Sequence, residues 1–342
     1  MAISRRPLPV RTFLPLLLVG LIAVMGAALL VGSAGLPPRQ TLLAVWEAIR
    51  GESRGNPDAQ IVLAIRLPRI ILAVVTGAGM GLTGLASQTL FRNPLASPYV
   101  LGVSNGAAVG SVVAMLLVGN RLGYGSVPAM SVLGGLVVGA IVFTMARRSS
   151  QFGHSLLLAG IAISAFCSAL TAAALYLAGE RLQTLVYWLM GGLWQATWRD
   201  VLLVAPVTVA ALIGLIALAP AMNVALVGER SAIDLGVNVR RLQILLLIVV
   251  SVTTSVAVAV SGVIGFVGLI VPHLLRMIVG ADHRGLVPAS AAGGALLLLV
   301  ADTLARTVAA PAEVPVGIVT ALVGAPVFLW LLRRRAGYGG WA

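Results

Sequence analysis

Apolar residues along this chain run in blocks of roughly twenty, and polar residues gather between the blocks instead of alternating with them. A block of that length, wound as an α-helix, crosses a hydrocarbon layer of about 30 Å. The blocks fall at 13–33, 66–90, 100–118, 127–146, 156–178, 200–219, 242–261, 263–279, 286–306 and 315–332. Only Ser261-Gly262 separates the seventh from the eighth, and Pro272 lies within the eighth, so this stretch reads either as two crossings or as one broken helix. The short alternating segments of a β-barrel are not seen. Two polar intervals carry amphipathic signals. In 34–65, Leu42, Leu43, Val45, Trp46 and Ile49 recur at helical spacing, and 181–197 holds Tyr187, Trp188 and Trp194, whose rings favour the headgroup zone. The pattern predicts an all-α, polytopic membrane protein with about ten transmembrane helices, a single domain over 1–342 whose longest cytoplasmic loop is 220–241.

Composition agrees with the pattern. At 59% hydrophobic and 10% charged residues, the chain lacks the polar surface to coat a water-soluble core. Arg5, Arg6 and Arg11 precede the first block in the manner of a secretory signal, but that block is span-length and meets Gly35-Leu36-Pro37-Pro38 without a small-residue cleavage site, so it reads as a retained crossing. With both termini on the cytoplasmic side, the ends and inner loops collect fourteen of the 23 basic residues; Arg147, Arg148, Arg240, Arg241 and Arg333 to Arg335 supply most of the bias. The net charge of +13 therefore has a membrane explanation and does not point to nucleic acid. Cys167 is the single cysteine, which excludes an intrachain disulfide; in its apolar run it reads as a packing residue.

Candidate chemistry is sparse. Every basic residue is arginine, so no Walker A lysine and no Schiff-base lysine exists in the chain. His154, His273 and His283 are scattered without metal-ligand spacing, and neither HExxH nor a serine-hydrolase elbow occurs. An integral-membrane enzyme is disfavoured by this poverty. An ion-coupled secondary transporter is disfavoured because Asp302 is nearly alone as a carboxylate within the spans. Asp302 and Arg306, four residues apart, are expected to pair, and Glu313 to cap the last span. The glycines, prolines and asparagines of 77–110 read as close helix packing around a reversal, with Asn93 and Asn105 needing partners. A local likeness between 81–92 and 265–276, which aligns Gly84 with Gly268, is a weak sign of duplication.

Several motifs in order carry a more specific signal: Arg66-Leu67-Pro68-Arg69, Gln88 with Asn93-Pro94-Leu95-Ala96-Ser97-Pro98, Leu101-Gly102-Val103-Ser104-Asn105-Gly106, Gly265 through His273, Gly280-Ala281-Asp282-His283-Arg284, and Glu313-Val314-Pro315 through Pro326. From about residue 60 to 332 the chain resembles the FecCD-type permeases, membrane subunits of ABC importers for ferric siderophores, haem and cobalamin. The resemblance implies a homodimer with a central pathway in the inner membrane, two ATPase subunits on the cytoplasmic face and a periplasmic substrate-binding protein. It implies no cofactor in this chain, with ATP and Mg2+ held by the ATPase partner. It assigns 220–241, where the residues themselves let Ser231 cap a short helix and Gly236 end it, to ATPase coupling through paired short helices, including Gly228, Glu229, Ser231, Asp234, Leu235 and Gly236. It places a gate and pathway along span five, at Gly153, His154, Ser155, Ser164 and Ser168, with Thr171 nearby. Gly153 and His154 replace a pair of small hydroxyl residues found in some relatives. Finally, it implies that Arg66, Arg69 and Arg306 face outward and meet acidic residues on the binding protein.

Overall fold

The computed structural model describes residues 8–32, 36–50, 56–118, 125–147 and 152–336. Arg5, Arg6, Gly35 and Arg148, named above, lie outside these residues, as do the side chains of Arg334 and Arg335. The described chain is helical throughout: α1 (Val10–Leu30), α2 (Pro38–Arg50), α3 (Pro57–Gln60), α4 (Leu67–Leu90), α5 (Val103–Val113), α6 (Ser126–Ala146), α7 (Phe152–Tyr176), α8 (Leu182–Leu189), α9 (Trp198–Ala225), α10 (Glu229–Asp234), α11 (Val239–Ser261), α12 (Val267–Val279), α13 (His283–Ala305) and α14 (Val316–Ala336). A π-helical turn, Ile61–Arg66, joins α3 to α4, so one helix runs from Pro57 to Leu90.

Seven of these helices are long and apolar enough to cross a membrane: α1, the Pro57–Leu90 helix, α6, α7, α9, α11 and α13. Shorter apolar helices at Val103–Leu117, Val267–Val279 and Val316–Leu331 account for the other three blocks. The ambiguous seventh and eighth blocks are two helices. Gly262 and Phe266, both at positive φ, break the chain between α11 and α12, and the 13 residues of α12 span only about 20 Å, short of the hydrocarbon thickness. The Gly192 N–H donates to the Ser261 carbonyl and the Gly317 N–H to the Gly191 carbonyl, which ties the segment after α8 to the end of α11 and to the first turn of α14.

α4 lies at the centre, against α9, α11, α12 and α13. Its glycines permit this. A Cβ on Gly77 would strike the Gly294 carbonyl, one on Gly81 the Ser290 carbonyl, and one on Gly84 the Gly268 carbonyl. In lipid, where apolar side chains gain little by leaving the solvent, such backbone-to-backbone approach supplies the dispersion contact that holds helices together. Gly84 and Gly268, aligned by the internal likeness, thus face each other across the α4–α12 crossing.

Contacts define two ends of the bundle. At the near end the Leu8 N–H donates to the Ile278 carbonyl, Asn223 bonds to Asp282 and His283, and Arg92 pairs with Glu229. At the far end Arg66 and Arg306 reach the end of α1, and the Tyr187 hydroxyl donates to the Glu313 carbonyl. α9 is longer than its apolar block, starting on a Thr197–Asp200 capping box and running through Pro220. Residues 220–225 are therefore helix, not loop; proline's fixed φ suits a helix, and membrane helices tolerate the lost N–H bond.

Candidate functional site

The far end gathers three guanidiniums and two carboxylates where the sequence had suggested an open face. Arg69, on the first turn of α4, donates from Nε to both Asp302 oxygens (3.0 and 3.1 Å) and from Nη2 to Oδ1 (2.9 Å). Its Nη1 donates to the Glu313 carboxylate at 2.8 and 3.1 Å. Asp302 is fully buried and also lies 3.8 Å from Arg306 Nε, the expected i,i+4 partner. Arg306 Nη2 donates to the Ala28 carbonyl at 2.7 Å; Arg66 Nη1 donates to the Leu29 carbonyl at 2.9 Å and meets the Thr41 hydroxyl of α2 at 3.2 Å. The last carbonyls of a helix lack intrahelical donors, so these two arginines cap α1 from other helices.

Arg66, Arg69 and Arg306 are exposed by only 3%, 7% and 2%. The expectation that they present their guanidiniums outward is corrected: ion pairing and helix capping inside the subunit turn them inward. Glu313 lies just before α14, which begins at Val316, and its carboxylate accepts two bonds from Arg69. Position in the sequence marked these residues as an outer cluster, but the strong pairing of Arg69 across 233 residues to Asp302 carried no local signal.

At the near end, α10 is a single six-residue helix set off by Gly228 at φ 133° and Gly236 at φ 81°. Gly236 N–H donates to the Ile233 carbonyl and Val237 N–H to the Ala232 carbonyl, the pair of hydrogen bonds of a Schellman cap that needs the left-handed residue. Ser231 lies inside α10 and does not cap it, and the second short helix expected here is simply the start of α11, capped by Asn238. Ala232 anchors the turn, while Val227, Ile233 and Leu235 are more than half exposed. Glu229 and Asp234 begin and end the helix. Beside α10 opens a groove of about 560 Å3, lined by Arg92, Asn93, His154, Glu229 and Gln243 among others. His154 is exposed there and Gly153 also lines it. Asn93 is turned to its own loop, accepting from the Leu95 N–H.

α7 holds the remaining pathway candidates. Ser155 is half-buried; Ser164 donates weakly to the Tyr99 carbonyl at 3.4 Å; Ser168 is exposed; Thr171 bonds its own helix at the Cys167 carbonyl. Cys167 is buried, and Leu158, Ile161 and Phe166 face away from the subunit.

The fold and its polar ends define a class, a multi-pass α-helical membrane protein. Residues 17–334 match the FecCD transport family, and the chain belongs to it. It is 42% identical over 325 residues to the hemin transport system permease protein HmuU of Yersinia pestis, covering 94% of this chain and 96% of that protein. It is also 42% identical over 348 residues to the cobalamin import system permease protein BtuC of Halobacterium salinarum, covering 97% and 91%. A solved structure described as an inward-facing conformation of a metal-chelate type ABC transporter superposes with a TM-score of 0.83 at 32% identity, covering 95% of this chain and 99% of that one. The chain is thus the permease component of an ABC transporter.

Proposed function

We propose that this subunit imports a bulky iron chelate, haem or a ferric siderophore, with cobalamin as the alternative cargo, and that a separate ATPase drives it. The single observation that carries the ATP-driven reading is α10. It is a capped helix held at the near end, with Val227, Ile233 and Leu235 exposed around it. Exposed apolar side chains on a rigid turn outside the apolar blocks are the features of a protein docking surface. Two ATPase copies would engage two copies of this chain, with the near end and both termini cytoplasmic. The outward face of α7 would line a pathway between the copies, where apolar residues and an isolated Ser168 suit a large rigid solute better than a bare ion. Relatives named for hemin and cobalamin transport support the cargo class.

A substrate-binding protein would deliver cargo at the far end. Docking through Arg66, Arg69 and Arg306 requires them to leave their internal partners, so their replacement affects the subunit before it affects the partner. Ion-coupled transport has no comparable support, since Asp302 is held by Arg69.

The test uses the chain with Cys167→Ala and a single cysteine at Leu235, co-expressed with the neighbouring ATPase. The account expects ATP-sensitive cross-linking to the ATPase and labelling by a membrane-impermeant thiol reagent only from the cytoplasmic side. Labelling from the outside overturns the orientation, and absence of cross-linking in a complex that assembles overturns the docking surface.

A further inference from the structure

We propose that Asn223, His283 and Thr89 form a positioning joint that transmits movement of α10 to the central helix α4. The proposal rests on the ATP-driven reading above and adds residues that lie within the bundle, away from the docking surface.

Asn223 occupies the last turn of α9. Its Oδ1 accepts two bonds from one residue of another helix, the backbone N–H and ring Nδ1 of His283, both at 2.8 Å. His283 is the first residue of α13, so its N–H has no intrahelical acceptor and Asn223 supplies one. Asn223 Nδ2 donates to Asp282 Oδ1 at 2.6 Å, and that same oxygen takes the Arg284 N–H as the ordinary cap of α13. The His283 ring is fully buried, and its Nε2 lies 3.0 Å from the Thr89 hydroxyl on the last turn of α4. One imidazole therefore bridges three helices, with a polar partner on each nitrogen. With Nδ1–H directed at Asn223, the neutral ring leaves Nε2 as an acceptor beside the Thr89 hydroxyl, whose single proton is shared between Nε2 and the Leu85 carbonyl of its own helix, each at 3.0 Å.

Bonds of this kind resist relative displacement in a way that apolar contacts between membrane helices do not. Sliding one apolar surface over another exchanges equivalent contacts, whereas moving Asn223 away from His283 leaves two buried donors unpaired at once. α10 is coupled to this point by a short path. Between Asn223 and Glu229 lie five residues, of which Leu226 and Val227 are pinned back to the Asn223 and Val224 carbonyls. On its other side, Glu229 pairs with Arg92, just beyond α4, at 3.6 Å; this exposed pair is weak alone. α4 is thus tied at Thr89 to His283 of α13, and the turn just beyond it pairs with α10 through Arg92, while the same continuous helix carries Arg69 into the far-end network. A tilt of α10 reaches the far end through one rigid element.

The experiment compares the full transporter in proteoliposomes, with its ATPase and binding protein, for the unmodified chain and for Asn223→Ala, Thr89→Val and Thr89→Ser. Haem is the cargo, with a ferric siderophore and cobalamin in parallel arms, and the readout is cargo moved per ATP hydrolysed, normalised to assembled complex. Asn223→Ala and Thr89→Val are expected to go on hydrolysing ATP while transport per ATP falls roughly fivefold or more. Thr89→Ser, which keeps the hydroxyl, is expected to restore the ratio. An unchanged ratio in Thr89→Val, in a preparation whose unmodified chain transports, overturns the joint while leaving the ATP-driven reading intact. Should Asn223→Ala not assemble, the near-isosteric Thr89→Val and Thr89→Ser pair decides. If the unmodified complex shows no ATP-dependent transport of any of these cargoes, the underlying reading fails and the joint with it.

Discussion

Asp302 is the residue on which the far end depends, because it is fully buried and compensates two guanidiniums. Removing it leaves Arg69 with Glu313 alone and Arg306 with a backbone carbonyl. Breaking a buried pair from one side typically costs about 3–5 kcal/mol, whereas replacing both partners by apolar groups costs far less. Asp302→Ala is therefore expected to lower the thermal midpoint in detergent strongly, and Arg69→Met with Asp302→Leu to lower it by less than the two single changes summed. Additive losses would show that the pair does not act as a unit. At the near end, the Asp282 carboxyl is held below its usual range, chiefly by the Arg284 N–H and then by the Asn223 amide. A depressed carboxylate adds stability that is present above its unfolded pKa and is lost as pH falls through the folded value. The stability gap between the unmodified chain and Asp282→Asn should accordingly be widest near neutrality and close below about pH 4; a gap that grows in acid would reverse the assignment. In the sequence, Asp302 and Arg306 could be paired by spacing, and Gly236 recognised as a terminator. The Asn223–His283–Thr89 contact could not, since its members are 60 and 194 residues apart and each is unremarkable locally.

At the scale of elements, hydrophobic blocks located all ten apolar helices, because lipid solvation imposes one length and one period on each. Their ends were less legible. The Thr197–Asp200 box extended α9 backwards and Pro220 failed to stop it, since membrane helices absorb proline. The amphipathic stretch in 34–65 is α2, with Leu42, Trp46 and Ile49 exposed along one side and Arg50 stacked 4.7 Å from the Trp46 ring centre. α10 gives the sharpest element-level prediction. Gly236→Val forces a β-branched residue into a left-handed conformation, at a cost of about 1–2 kcal/mol, and should loosen the Schellman cap without disturbing the spans. Membrane levels should stay normal while ATPase co-purification falls; normal co-purification with full uptake would remove the cap from the mechanism.

Across the whole molecule, the glycine-lined crossings of α4 join the two polar ends into one body. The α4 crossing with α13 predicts that Gly81→Val, aimed at the Ser290 carbonyl, destabilises by about 1–3 kcal/mol through overpacking, readable as reduced detergent thermostability; an unchanged midpoint would mean that these helices are free to separate. The family was legible from ordered motifs, but the inward turn of Arg66, Arg69 and Arg306 was not, because topology places a residue at a face without saying which way its side chain points. The central claim, ATP-driven import of a bulky chelate, is tested most directly by uptake into proteoliposomes containing this chain, its ATPase and its binding protein. The account predicts that haem or a ferric siderophore, or failing these cobalamin, accumulates only when ATP is supplied on the ATPase side, and does so without any ion gradient. Accumulation driven by a proton or sodium gradient in liposomes lacking the ATPase would contradict it.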